Sequence, residues 1–335
     1  MYFRLTFDIP FLAIYEKESF NLNLQSESSR IQLEFSPAAG EFHLGKWKCV
    51  SSCEETPTSP VQKLFEYLVT DAFDPAIEWD CHGQRGLELL GPPYFRQFVD
   101  KVHSALNVSA MNAVSLMQWR LCRDGPPNPL TEGGRLWWSL DNEDWRAIPG
   151  VGGSDGGQAV GFAPIKQHVR DEICSLLLEG TTEPLGHELL REAKQLGARS
   201  SRGAFVVAIM AAEVGVKQHI SKMLPETEWL LANIQSPPLF KLLEEQLPRT
   251  PGRLNFGGKV VAPPPSLRQR LRNAVNIRND IVHKGFHGSV QSKLHDLVED
   301  VRDLLYLLDY YQGNEWALRF IRREIVQELM ASANS

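Results

Sequence analysis

The chain has 335 residues, 43% apolar and 23% charged, with a formal net charge of −6. That is enough for two domains that each bury a core, and the composition is that of a soluble globular protein. The negative balance argues against indiscriminate coating of nucleic acid. No run reaches the roughly 18 to 20 uninterrupted apolar residues of a membrane helix.

In chain order, Tyr2–Asp8, Phe20–Leu24 and Ile31–Phe35 alternate apolar and polar residues of β-favouring type and predict strands. Val61–Ala72 and Tyr94–Leu106 have helical spacing, whereas Ala113–Arg123 and Arg135–Leu140 read as further strands. An α+β N-terminal domain is expected over residues 1–165, a mostly antiparallel sheet with one or two helices. Trp137, Trp138 and Trp145 either stack a base or sugar, or pack in the core or along a sheet edge. Gly150–Gly161 lacks the Gly-Lys-Ser/Thr ending of a phosphate loop and reads as a linker or long loop, with a domain boundary near 165.

From 166 to 335 the pattern is helical. Ile165–Glu179 and Leu185–Leu196 are amphipathic, the latter preceded by Pro184. A long helix follows from about Arg199 to Leu224, with Ser200 or Ser201 as its cap and Pro225 beyond its end. Its small residues Ala208, Ala211, Ala212 and Gly215 permit close helix approach. Trp229–Ile234 and Leu239–Leu247 are shorter pieces, and Thr250–Pro265 is an irregular connection. The helices Ser266–His283, Val290–Tyr311 and Glu315–Met330 complete an all-α bundle.

Basic residues concentrate between Arg249 and His287: Arg249, Arg253, Lys259, Arg268, Arg270, Arg272, Arg278 and Lys284, against the single acid Asp280. That segment carries +7 and the remainder −13. A polyanion such as RNA, or a nucleotide, is the natural ligand, with Arg268, Arg270 and Arg272 as candidate RNA-binding residues. The alternative is a basic helix face balanced by acidic neighbours. Within the segment, Arg278 falls on the apolar stripe of Leu267, Leu271, Ala274 and Val275, where a charge is costly unless it meets a partner or lines a site. Asn276, Asn279, Asp280 and His283 lie on the neighbouring face.

The spacing Arg278, four residues beginning with Asn279, then His283 resembles the Arg-x4-6-His hallmark of the HEPN superfamily, a helical bundle. Gly203–Ile220 is similar to that family's alanine-rich helix, with Glu213 in the acidic place, and Arg-Asn-x-hydrophobic-hydrophobic-His-x-Gly is similar to its Apea-like branch. The resemblance covers roughly residues 185–312. It implies metal-independent endoribonuclease activity that leaves 2′,3′-cyclic phosphate ends. It also implies a homodimer through the helical domain, no cofactor, and a role as a toxin or antiviral defence effector. The residue chemistry agrees. His283 can take or give a proton near neutrality, Arg278 can meet the charge on a phosphorane, and Asn279 can position phosphate or ribose. Asp280, Glu213 and Lys284 are supporting candidates, Glu213 or Asp280 as orienters. Glu213 also has the spacing of an ordinary surface pair with Lys217.

Five residues of helix place Arg278 and His283 about 140° apart. They share a site only if the helix loosens near Lys284-Gly285 or if two protomers face each other. The alternatives are a non-catalytic HEPN fold that binds a nucleotide, RNA or partner protein, and a structural role in which Arg278 pairs with Glu213 or Asp280 inside the bundle and His283 caps the helix end. No metal site is expected: His283-x3-His287 lacks a completing ligand, and Cys49-x3-Cys53 has no second pair. The start MYFRLTFDIPFLAIYEKESF lacks a basic leader and a small-residue cleavage site. With five scattered cysteines, the expected location is cytoplasmic and the expected thiols reduced. The ligand of the N-terminal domain is open.

Overall fold

The computed structural model describes residues 1–9, 19–25, 30–37, 47–69, 92–125, 135–148, 166–233, 238–284 and 288–333. They form two compact units, Met1–Thr182 and Glu183–Ser335. The expected linker Gly150–Gly161 and the expected cap Gly285 lie outside the described residues.

The first unit is an antiparallel sheet with helices, as the alternating runs predicted. Its strands are β1 (Tyr2–Ile9), β2 (Phe20–Gln25), β3 (Arg30–Pro37), β4 (Trp47–Glu54), β5 (Arg135–Ser139) and β6 (Arg146–Ala147). The order across the sheet is β2-β3-β4-β1-β5-β6. Phe3, Leu5, Phe7 and Ile9 project to one face of β1, where Phe3 meets Phe65 of α1 (Ser59–Tyr67) and Phe98 of α2 (Pro93–Arg120) at ring separations of 5.6 and 5.7 Å. Opposite them on β4 stand the small residues Cys53, Ser51 and Cys49, which leave room for α2 to cross the sheet. Burial pushes the Cys53 thiol up to about 12 and raises the Cys49 thiol as well. Trp138 belongs to this core, 4.7 Å from the Phe65 ring. Trp137 and Trp145 lie on the other face, with the Arg4 guanidinium 5.7 and 4.1 Å from their rings.

Three sequence expectations need correction. Ala113–Arg123 is not a strand: Phe95, Val99, Val102, Leu106, Ala110, Ala113 and Met117 form one buried stripe at three- to four-residue spacing, so α2 continues to Arg120. The boundary falls at Thr182 rather than near 165, because α3 (Gln167–Leu178) packs on β2 and α2. There Glu172 accepts from Arg120 at 2.7 Å, and Arg170 lies 4.7 Å from the Phe20 ring. The sheet therefore carries three described helices rather than one or two. Finally, Glu315–Met330 is two pieces, a 3-10 turn (Glu315–Phe320) and a helix, separated where the Arg322 backbone N–H donates to Asp303.

The second unit is the expected helical bundle: α4 (Leu185–Gly197), α5 (Ser201–Met223), α6 (Glu228–Asn233), an irregular helical stretch over 239–249, α7 (Pro265–Lys284), α8 (Gln291–Tyr311) and α9 (Arg323–Ala333). The Ser200 side chain caps α5 by accepting from Gly203 N–H. By length and composition α5 is apolar enough to cross a membrane, but Phe205, Ile209, Ala212, Val216 and Ile220 are buried, as a central core helix requires. Its small residues let neighbours approach: a Cβ built on Gly215 would lie 2.3 Å from the Leu305 side chain of α8. One built on Gly186 of α4 would lie 3.1 Å from Gly215 Cα. The α8 stripe Leu294, Leu297, Val298, Val301, Leu304, Leu305 and Leu308 is buried throughout. Several polar side chains inside the bundle are paired. Arg191 forks onto Glu183, His187 Nε2 lies 2.8 Å from Asp309 Oδ2, and Arg322 joins Asp300 and Asp303.

Candidate active site

Pro263, Pro264 and Pro265 set the start of α7, and Ser266 Oγ fixes it to Glu328 of α9 at 2.9 Å. Leu267, Leu271 and Ala274 are buried against the bundle, and Arg278 continues their stripe. Its charge is met there. Arg278 Nη2 donates to Glu213 Oε1 of α5, with side chains 23% and 30% exposed. Glu213 thus takes Arg278 as its ion-pair partner, not Lys217. A pair so placed is worth on the order of 1 kcal/mol, but it fixes the guanidinium's direction.

His283 lies in the last turn of α7. It is exposed and has no hydrogen-bond partner among the described residues. Asn279 is half-buried. Asp280 bonds Lys284 at 2.7 Å on the exposed side, so neither residue orients His283 or Arg278. The helix runs through Lys284 without loosening, which keeps Arg278 and His283 about 140° apart and about 7.5 Å along the axis. Within the described helix they stand on different faces. Among the described residues no group of three His, Cys, Asp or Glu side chains is arranged to hold a metal. His287 lies outside them.

The three arginines expected to meet RNA are all engaged. Arg268 and Arg272 share Glu244 at 2.8 and 3.0 Å, and Arg270 bonds Asp300 at 2.9 Å. Arg272 also lies over the Phe240 ring at 4.8 Å. The basic segment is thus largely balanced by acids on other elements, in keeping with the alternative reading of its charge. Sequence spacing did not reveal Glu244, Asp300 or Phe240: these meet their arginines across 24 to 32 residues, and no local rule links such positions.

No protein-family model matches the sequence, and no curated protein or solved structure is similar to it. The fold and site define a helical bundle with a half-buried acid–arginine contact between α5 and α7 and an exposed histidine at the end of α7.

Proposed function

We propose that the protein is a metal-independent endoribonuclease of HEPN type that works as a homodimer in the cytoplasm, as a toxin or antiviral defence effector. The observation this reading rests on is the Glu213–Arg278 contact, which an ion pair of purely structural role would show equally. It joins the acidic position of the alanine-rich helix to the motif arginine and leaves His283 unencumbered. Two facing copies of α7 would place Arg278 of one protomer beside His283 of its partner. Exposed Val282 on α7 and Met210 on α5 give that face apolar area to bury.

The chemistry follows from these groups. One imidazole removes the proton of a ribose 2′-hydroxyl as its oxygen bonds to the adjacent phosphorus. The P–O5′ bond breaks, and the same imidazole, now protonated, returns that proton to the leaving 5′-oxygen. The guanidinium, charged at any working pH, meets the developing charge on the non-bridging oxygens. Asn279 supplies an amide to phosphate or ribose.

The test is incubation of the purified protein with mixed RNA in EDTA. Products ending in 2′,3′-cyclic phosphate are expected, and a chelator-sensitive product with a 3′-hydroxyl would contradict the reading. A second reading, a non-catalytic HEPN-fold module that binds a nucleotide, RNA or partner protein, is favoured by the engagement of all four α7 arginines with carboxylates. Tight nucleotide binding without cleavage would select it.

A further inference from the structure

Helix arithmetic separates α7 into two functional lines. Arg278 faces α5, while Arg268, Arg272, Asn279 and His283 recur at intervals of four, seven and four residues and fall on one ridge, within about 60° of each other. The charge at the start of that ridge is unbalanced: two guanidiniums share the one carboxylate of Glu244, leaving one positive charge, with Arg272 41% exposed. Phe240 supports the Arg272 plane from below, so its donors are held rather than mobile. The wider field agrees. Dividing the chain's −6 at Thr182 gives −9 for the first unit (15 Lys and Arg, 24 Asp and Glu) and +3 for the second (20 and 17).

The geometry points to Arg268 and Arg272 forming an anchoring phosphate subsite for single-stranded RNA, in line with His283 and about 16 to 22 Å from it. This rests on the RNA-cleaving reading of His283. An extended strand covers that distance in a few nucleotides, so the subsite grips the backbone away from the scissile bond. It reads no base, which predicts tight binding with little sequence preference at that end. Glu244 is the built-in competitor: the phosphate displaces it or shares the two arginines with it.

The experiment is fluorescence anisotropy of a short 5′-fluorescein-labelled single-stranded RNA, titrated across salt, with the full chain carrying His283→Ala so that the probe survives. Adding Arg268→Gln and Arg272→Gln together should reduce the slope of log affinity against log salt by about 1.4, two phosphate contacts at about 0.7 each. Glu244→Gln alone should tighten binding, an outcome that loss of fold cannot imitate. In the cleavage assay the double arginine variant should raise KM and leave kcat unchanged. Unaltered slope and KM in a protein that still cleaves would overturn the subsite and leave the nuclease standing. A wild-type protein that neither binds nor cleaves RNA would overturn both.

Discussion

His283→Ala should lower kcat for RNA cleavage by about 10²- to 10⁴-fold, the usual contribution of a positioned general acid or base. Its thermal midpoint should stay where it is. The side chain is exposed and has no hydrogen-bond partner among the described residues, so removing it exposes no core and strands no polar group. Exposed positions of this kind change stability by no more than about 0.5 kcal/mol. The combination is what matters: a large kinetic loss on an unchanged fold places His283 in the chemistry. An equal loss of activity and stability would place it in the scaffold. Arg278→Ala is a poorer probe, because it also leaves the Glu213 carboxylate without its cation on a half-buried helix face.

The largest stability effect should come from Arg191→Leu. Arg191 and Glu183 form a bidentate pair with side chains only 6% and 4% exposed, on the face of α4 that also buries His187. Breaking such a pair from one side leaves a buried carboxylate without its cation and costs about 3 to 5 kcal/mol, a large share of a domain's stability. Replacing both residues, as Glu183→Leu with Arg191→Leu, should recover most of that loss, since the desolvated charge goes with its partner.

The pH dependence has a definite sign. Burial is the largest influence on the Glu183 carboxyl and raises it above its ordinary value even with Arg191 present. A folded-state value above the unfolded one means the native state binds more protons in that window, so this group's contribution falls as pH rises through it. Without Arg191 the carboxyl rises further. The deficit of the single variant should therefore be largest near neutrality and shrink on acidification, in chemical denaturation at matched pH values. A deficit independent of pH would mean that lost packing, not charge, dominates.

How much of this could be read from residues alone depended on whether the signal was local. The helix α5 was legible because a long apolar, small-residue run is bounded by a serine cap and a proline, and α8 because one face is apolar at the helical period. The strands β1 to β3 were legible for the same reason at period two. Strand β4 was not, because its inward positions are Cys49, Ser51 and Cys53, small residues chosen by the passage of α2 overhead. The second half of α2 misled in the opposite sense. Val114, Leu116, Met117 and Trp119 are dense and bulky enough to suggest a strand, and only the buried stripe running back to Phe95 reveals one helix.

At the site, the position of Arg278 on an apolar stripe predicted that it would need a partner. Glu213 on the alanine-rich helix was a named candidate. The acids that balance the other arginines were invisible, since tertiary packing alone brings Glu244 and Asp300 to α7. Over the described residues α7 runs uninterrupted through Lys284, so the proposed shared site of Arg278 and His283 calls for two protomers.

That conclusion has a direct test. Arg278→Ala and His283→Ala variants, each inactive alone, would be co-expressed with different tags and the mixed dimers purified. A site built across the interface predicts that the mixed dimer regains about half the wild-type rate, because one of its two clefts holds an intact arginine and an intact histidine. If each chain supplied both groups to its own site, the mixed dimer would remain as inactive as its parents.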